Sequence, residues 1–434
     1  MDTVNNTKYA RFAIRRRDFL VHSLVAIHST TLATRARGAG GPSQRSRLRG
    51  LLLGSLIGDA AGGPIEFAPP DRVREWMPAT RDWDDRRRLS AEEIEGLASS
   101  FRLLSYETLR PKPEPYAHWT EAAPAGTVTD DSRHKFLLIT ALRDAREHDS
   151  FPVDPPRLAR QYIGYCESES IRRNPSYAPL CEEWLREYSQ AARWVAGDRN
   201  HQTAAPTERL WGGVPTNAGQ MALLPLAGLF PGDPEAAYRA AFQLGFMDNG
   251  TAKDLNSAIV AGLATAIALP AGGTDSEKWA TVRSTMCEVD PYRYSQIPWV
   301  QRPIERWLGF ADAAVKRAAA TPKRLFEILE DEGQPRFHWD AHFVLASAWS
   351  ILAICDFNGL AAMQLALDFG HDTDSTAQLV GAFVGAVAGE EVFPLPMRIQ
   401  VATRLQADYS ESVDEWAELL AELQDRAKYP VVVE

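Results

Sequence analysis

Two short acidic turns carry the residue types and spacing that metal chemistry needs. Gly370-His371-Asp372-Thr373-Asp374-Ser375-Thr376 sets two carboxylates two residues apart among hydroxyls, just before an apolar stretch. Such an oxygen set binds Mg²⁺, Mn²⁺ or Ca²⁺. Asp, Thr and Ser are also ordinary helix N-caps, so a capping turn accounts for them without a metal. Thr129-Asp130-Asp131-Ser132 has the same character and also opens a helix. Glu66 adds a carboxylate in the loop after Gly62-Gly63-Pro64, where the plain alternative is a solvated side chain. If the three turns converge, five carboxylates (Glu66, Asp130, Asp131, Asp372, Asp374) and the hydroxyls of Thr129 and Ser375 share one site. Like charges in that number require compensation. Two divalent cations would balance four of them, and all-oxygen ligation suits Mg²⁺ or Mn²⁺. The competing reading is three independent caps.

The elements that present these turns are helical. In LRGLLLGSLIGDAAGGPIEF, Gly50, Gly54, Gly58 and Gly62 recur every four residues. That spacing places them on one helical face, where a second helix can approach closely. TAQLVGAFVGAVAG repeats the pattern at Gly381, Gly385 and Gly389. Each glycine costs about 1 kcal/mol in a helix interior, so glycines in register signal a packing demand. GTVTDDSRHKFLLITALRDAREH reads as a capped amphipathic helix. Further helices are expected over 90–109, two within 155–198, one after Pro234, one ending near Leu269, then over 338–354, 359–367 and 412–428. Residues 71–125 and 271–336 read as polar surface sections. Alternating strand patterns are nearly absent. The expectation is an all-α protein, with residues 46–434 forming a single compact helical domain bearing surface insertions.

Charge and composition narrow the function. The net charge of −10 combines ten Lys/Arg and two acidic residues in 1–50, a balance of +8, with −18 on the remainder. An acidic body argues against nucleic-acid binding, which wants a basic face. Cys166, Cys181, Cys287 and Cys355 have no metal or redox spacing, and free thiols are expected. The stretch from Leu255 to Gly273 lacks charge but begins polar and holds Pro270, so a buried helix is expected and no membrane span. Residues 1–45 read as a targeting segment: Arg15-Arg16-Arg17-Asp18-Phe19-Leu20 fits the twin-arginine pattern. That reading makes the protein exported or periplasmic. The alternative is a disordered basic extension on a cytoplasmic protein. P-loop, GxSxG, HExxH and GxGxxG motifs are absent.

Three motifs together, GSLIGDAAGGPIEF, TVTDDS and FGHDTDSTAQLVGAFVGAVAG, resemble the ADP-ribosylglycohydrolase family, which includes the dinitrogenase-reductase-activating glycohydrolase. The resemblance spans roughly residues 47–390. It implies a compact orthogonal all-α bundle around a centre of two Mg²⁺ or Mn²⁺ ions. It implies that Glu66, Thr129, Asp130, Asp131, Asp372, Asp374 and Ser375 bind metal, with Ser375 keeping the hydroxyl of the family's usual Thr. Asp59 matches the family's Gly-Asp pair and is expected at the substrate, as are Asn217, Gly219, Asp248 and His371. The implied activity is hydrolysis at ribose C1″ of ADP-ribosylated protein or an ADP-ribosyl compound. Water is the nucleophile, gaining acidity at the metal, and Glu66 or Asp131 is the base or water-positioning group.

Two departures concern the substrate. The family's phosphate loop carries Met-Arg, where this chain has Met221-Ala222. Asp248 stands where the family often has His, and an Asp beside a pyrophosphate is unfavourable. The alternatives are therefore a metal-dependent hydrolase of another ribosyl or nucleoside-type substrate, or a non-catalytic family member.

Overall fold

The structure, a computed structural model, describes residues 41–68, 73, 89–105, 124–168 and 178–426, with backbone alone for 178–185. The twin-arginine stretch, most of the 71–125 section, and the Cys181 and Trp184 side chains lie outside the described residues. Among the described residues every regular element is a helix. In chain order they are α1 (Gln44–Gly62), α2 (Ala91–Ser100), α3 (Asp130–Glu147), α4 (Pro155–Glu167), α5 (Ala178–Val195), α6 (Ala218–Ala222), α7 (Pro234–Leu244) and α8 (Thr251–Ile267). Then come α9 (Asp275–Glu288), α10 (Pro303–Ala318), α11 (Pro322–Gly333), α12 (Ala341–Ile354), α13 (Gly359–Phe369), α14 (Thr373–Ala388), α15 (Leu395–Tyr409) and α16 (Val413–Leu423). The chain is all-α, as its periodicity indicates.

The polar section 271–336 is a correction: it folds into α9, α10 and α11. Thr274 and Glu277 form a capping box at α9, and Pro303 and Pro322 open α10 and α11. These helices bury one narrow stripe each (Trp279, Val282 and Met286 on α9; Leu308 and Ala311 on α10), so their composition is dominated by the solvent side. The helix expected over 90–109 is capped by a Ser90–Glu93 box but ends at Ser100, where Phe101 takes extended backbone. Cys166, Cys287 and Cys355 are free thiols. The uncharged stretch from Leu255 runs through the buried helix α8, and no described helix is long and apolar enough to cross a membrane.

The central feature is the antiparallel pair α1–α14. The backbones touch because α1 presents only glycine along the seam and α14 answers with Gly381 and Gly385 at its middle. A Cβ at Gly50, Gly54, Gly58 or Gly62 would overlap the backbone of Gly385, Gly381, Ala377 or Asp374 in turn. The contact is reciprocal, since a Cβ on Gly381 or Gly385 would overlap the carbonyls of Gly54 or Gly50. Carbonyl-to-Cα approach of this kind adds weak C–H···O attraction. The Thr373 hydroxyl donates to the Gly62 carbonyl at 2.8 Å, pinning the end of α1 to the start of α14. Both helices are buried along nearly their whole length, and Phe383 on α14 meets Trp349 of α12 edge to face at 5.7 Å.

The seam predicts opposite outcomes for one substitution at two glycines. Gly54→Ala meets backbone that cannot yield, so it should cost about 2–3 kcal/mol or prevent folding, despite alanine's better helix propensity. Gly96→Ala on α2 has nothing within 4 Å of the new methyl and should gain up to about 1 kcal/mol. Chemical denaturation of the two variants checks both signs.

Candidate metal centre

The α1–α14 seam delivers the end of α1 and the loop carrying Glu66 beside the first turn of α14. The start of α3 is fastened to the same place by Asp59. This carboxylate is fully buried. Its Oδ1 accepts from the Thr129 N–H at 2.9 Å, and its Oδ2 accepts from the Ser132 N–H at 3.1 Å and from the Ser132 hydroxyl. Asp59 therefore serves as a distant cap that docks α3 on α1. Both its oxygens are occupied, and it does not line the cavity, although the resemblance places it at the substrate.

Three helix ends thus converge, and their carboxylates face one cavity. Glu66, Phe67, Asp130, Asp131, Tyr188, Trp211, Thr216, Asn217, Met221, Trp339, Asp372, Asp374 and Ser375 line it. Oxygens of Glu66, Asp372 and Asp374 lie within 4.8 Å of one another. Thr129 Oγ1 accepts from the Asp131 N–H at 3.2 Å and donates to Asp374 Oδ2 at 3.0 Å. Ser375 Oγ lies 3.3 Å from Asp131 Oδ1. All seven residues read as metal ligands are thereby brought together. The cap reading holds only for Thr129, because Asp372 occupies the N-cap position of α14 without making a capping bond.

Burial is severe for groups of one sign. Glu66, Asp130, Asp131, Asp372 and Asp374 are each no more than 7% exposed. Removal from water, with the neighbouring carboxylates, pushes Asp131 and Asp374 well above the usual range. Burial likewise raises Asp372 to about 6, although hydrogen bonds with Asp374 and Ser375 pull it down. Asp131 Oδ2 is buried without a hydrogen-bond donor. An all-oxygen set, excess negative charge and an unsatisfied inward oxygen are the features a hard divalent cation would resolve. The residues present fit such ions.

One resident cation lies beneath. Lys135 is 1% exposed and donates to the Asp131 carbonyl at 3.0 Å and to Gln378 Oε1. Burial lowers its pKa, opposed by attraction to Asp131 and Asp59. The sequence signal was available: Lys135 follows Asp131 by four residues, and Gln378 follows Asp374 by four, so the pair repeats the site one turn deeper. The aromatic wall was harder to see. Trp339 stacks on Phe337 at 4.7 Å and meets Phe67 edge-on at 5.6 Å, while Tyr188 packs edge-on against Trp211 at 5.8 Å. Trp211 reaches the cavity, whereas Trp299 is 86% exposed elsewhere.

Three other expected substrate contacts are displaced. Asp248 accepts from the Gly219 N–H at 2.7 Å and from Asn256 Nδ2 at 3.0 Å, and burial lifts it to about 7. A Cβ on Gly219 would overlap the Asp248 carboxylate. The pair is an internal clamp that shapes the loop before α6, and neither residue lines the cavity. His371, at φ +62°, turns away to Glu330 and His338. Asn217 does line the cavity, but its amide donates to Asp372 Oδ2 at 2.9 Å and Ser375 Oγ at 2.7 Å, so it orients two side chains of the acidic cluster.

The family model of the ADP-ribosylglycohydrolases matches residues 41–429. The protein belongs to the ADP-ribosylglycohydrolase family, and so to a type of hydrolase that is typically metal-dependent. Among solved structures, one titled "ADP-ribosylglycohydrolase-related protein complex" aligns at a TM-score of 0.49 and 17% identity, covering 88% of this chain and 99% of that one. The search of curated proteins gives no match.

The raised carboxylates set the sign of a pH effect. Their folded pKa values exceed the unfolded ones, so the metal-free fold holds protons that the unfolded chain releases. Stability of the metal-free protein should fall as pH rises from about 4 through about 6, where Asp372 titrates. Mg²⁺ or Mn²⁺ should raise Tm more at pH 7.5 than at pH 5. Thermal melts in chelator and in metal at both pH values decide it; a metal-free Tm that climbs over this range would contradict the assignment.

Proposed function

We propose that the chain is a divalent-metal-dependent glycohydrolase that cleaves the bond at ribose C1″ of an ADP-ribosyl or related ribosyl substrate with water as nucleophile. The observation that carries this reading is the convergence of Glu66, Thr129, Asp130, Asp131, Asp372, Asp374 and Ser375 from three helix ends onto one cavity. Two Mg²⁺ or Mn²⁺ ions held by these residues would offset the carboxylate charge, grip ribose hydroxyls and acidify water. Thr129 and Asn217 orient the acidic side chains that form the floor. Glu66 or Asp131 takes the proton of the attacking water, since each places a carboxylate oxygen at the cavity. Phe67, Trp211 and Trp339 offer flat apolar walls that would shield an oxocarbenium-like sugar from bulk water.

A second reading concerns the remainder of the substrate. No Lys or Arg lines the cavity among the described residues, and Ala222 follows Met221 where the family's loop has Arg. A pyrophosphate would therefore meet little cationic recognition, which favours a ribosyl or nucleoside-type compound. Linkage of the ribosyl group to protein is the part of the proposal that the substrate panel decides.

Product release from ADP-ribosyl-arginine, ADP-ribosyl-serine and simple ribosides, each with and without chelator, tests both readings. Asp374→Asn should lose metal uptake and turnover together. Of Glu66→Gln and Asp131→Asn, both of which weaken metal binding, the variant that removes the base should still be down in turnover by about 10²–10⁴-fold once excess metal has restored occupancy. Full activity of Asp374→Asn, or turnover indifferent to chelator, would refute the proposal.

A further inference from the structure

A second group with metal-ligand chemistry lies outside the acidic cavity. Glu330 sits near the end of α11, His338 in the loop before α12, and His371 in the turn before α14. His371 Nε2 pairs with Glu330 Oε1, and His338 Nε2 lies 3.4 Å from Glu330 Oε2. The two imidazoles stack face to face, 3.7 Å between centroids and 6° from parallel. One nitrogen from each ring and an oxygen of the carboxylate fall within 4.8 Å of one another.

The group is held in place by its surroundings. Phe343 packs edge-on against His338 at 5.7 Å, and Phe369 against His371 at 5.2 Å. The His371 carbonyl accepts from the Phe67 N–H at 2.6 Å, which fixes the turn. The side chains of Glu330, His338 and His371 are 20–36% exposed, so an ion can enter and water can complete its coordination.

The plain account of such a cluster is a carboxylate bridging two imidazoles through protons. The same atoms suit a metal better matched to nitrogen than the acidic cavity is. Imidazole and carboxylate together favour Zn²⁺ and its borderline neighbours, whereas Mg²⁺ prefers oxygen alone. A tetrahedral Zn²⁺ takes each nitrogen at about 2.0–2.1 Å along its ring plane, so the two stacked imidazoles must swing out of parallel for both to reach one ion.

We propose that Glu330, His338 and His371 form a binding site for one Zn²⁺-like ion, separate from the oxygen-ligand centre and selective against Mg²⁺. The ion ties α11, the loop before α12 and the turn before Asp372 together, so its occupancy stabilises the fold by mass action.

The test uses the full chain, stripped with chelator, saturated with Mg²⁺ and titrated with Zn²⁺ by calorimetry and thermal melting. One equivalent of Zn²⁺ should bind and raise Tm. His338→Phe keeps a ring against His371 but removes the ligand; Glu330→Gln removes the carboxylate and keeps its shape. Each variant should fold by circular dichroism and keep its Mg²⁺ response. Each should weaken Zn²⁺ binding by about tenfold or more and lose the Zn²⁺-dependent rise in Tm. Equal Zn²⁺ binding by the wild type and whichever variant folds, or no uptake by the Mg²⁺-saturated wild type, overturns the proposal.

Discussion

Everything at the acidic centre depends on two helix backbones touching without side chains between them. Glycine is a poor helix former, at about 1 kcal/mol apiece, yet α1 carries Gly50, Gly54 and Gly58 in its interior and Gly62 at its end. Their value is positional. With no Cβ on the seam, the Gly62 end of α1 comes to lie on the backbone of Thr373 and Asp374. A slip of one helical turn would shift the pair by about 5.4 Å, more than the 4.8 Å within which the oxygens of Glu66, Asp372 and Asp374 all lie. The packing and the ligand geometry are therefore one constraint.

A second constraint is charge. Asp59, Glu66, Asp130, Asp131, Asp372 and Asp374 are all buried together, and Lys135 is the buried amine set beneath them. Two features make this tolerable. Carboxylates at the first turns of α3 and α14 face the positive ends of those helices. Donors from Asn217, Ser132 and the Thr129 backbone take up several of the oxygens. What is left is a demand for counter-charge directed into the cavity, and Asp131 Oδ2 is its clearest expression.

Much of this was legible in the chain. The four-residue glycine spacing announced a helix pair, and the two Asp-rich turns announced the carboxylates that it gathers at one cavity. Direction was not legible. Asp59 and Asp248 are acidic residues in the right neighbourhoods, but one caps α3 and the other clamps Gly219, because side-chain orientation is set by tertiary packing. His371 belongs to the acidic motif by sequence and to Glu330 and His338 by structure, since positive φ turns it outward. Trp339 and Phe67 lacked any local signature. They become cavity walls because the Asn217 N–H donates to the Trp339 carbonyl and the Phe67 N–H to that of His371, contacts between distant segments. The helices of 271–336 were hidden by their solvent faces.

The bond from Thr373 to Gly62 joins residues 311 apart in sequence. A ribosome therefore makes α1, with its bare glycine stripe, long before it makes the helix that covers it. Until then the stripe has no native mate, and the turns after α1 and before α3 hold acidic residues with nothing to assemble around. The last ligands and the covering helix arrive together, on one segment, 373–388 preceded by Asp372. An acidic centre of this form is consequently missing from any partial product of synthesis or proteolysis that lacks that segment, however well the rest of it has folded.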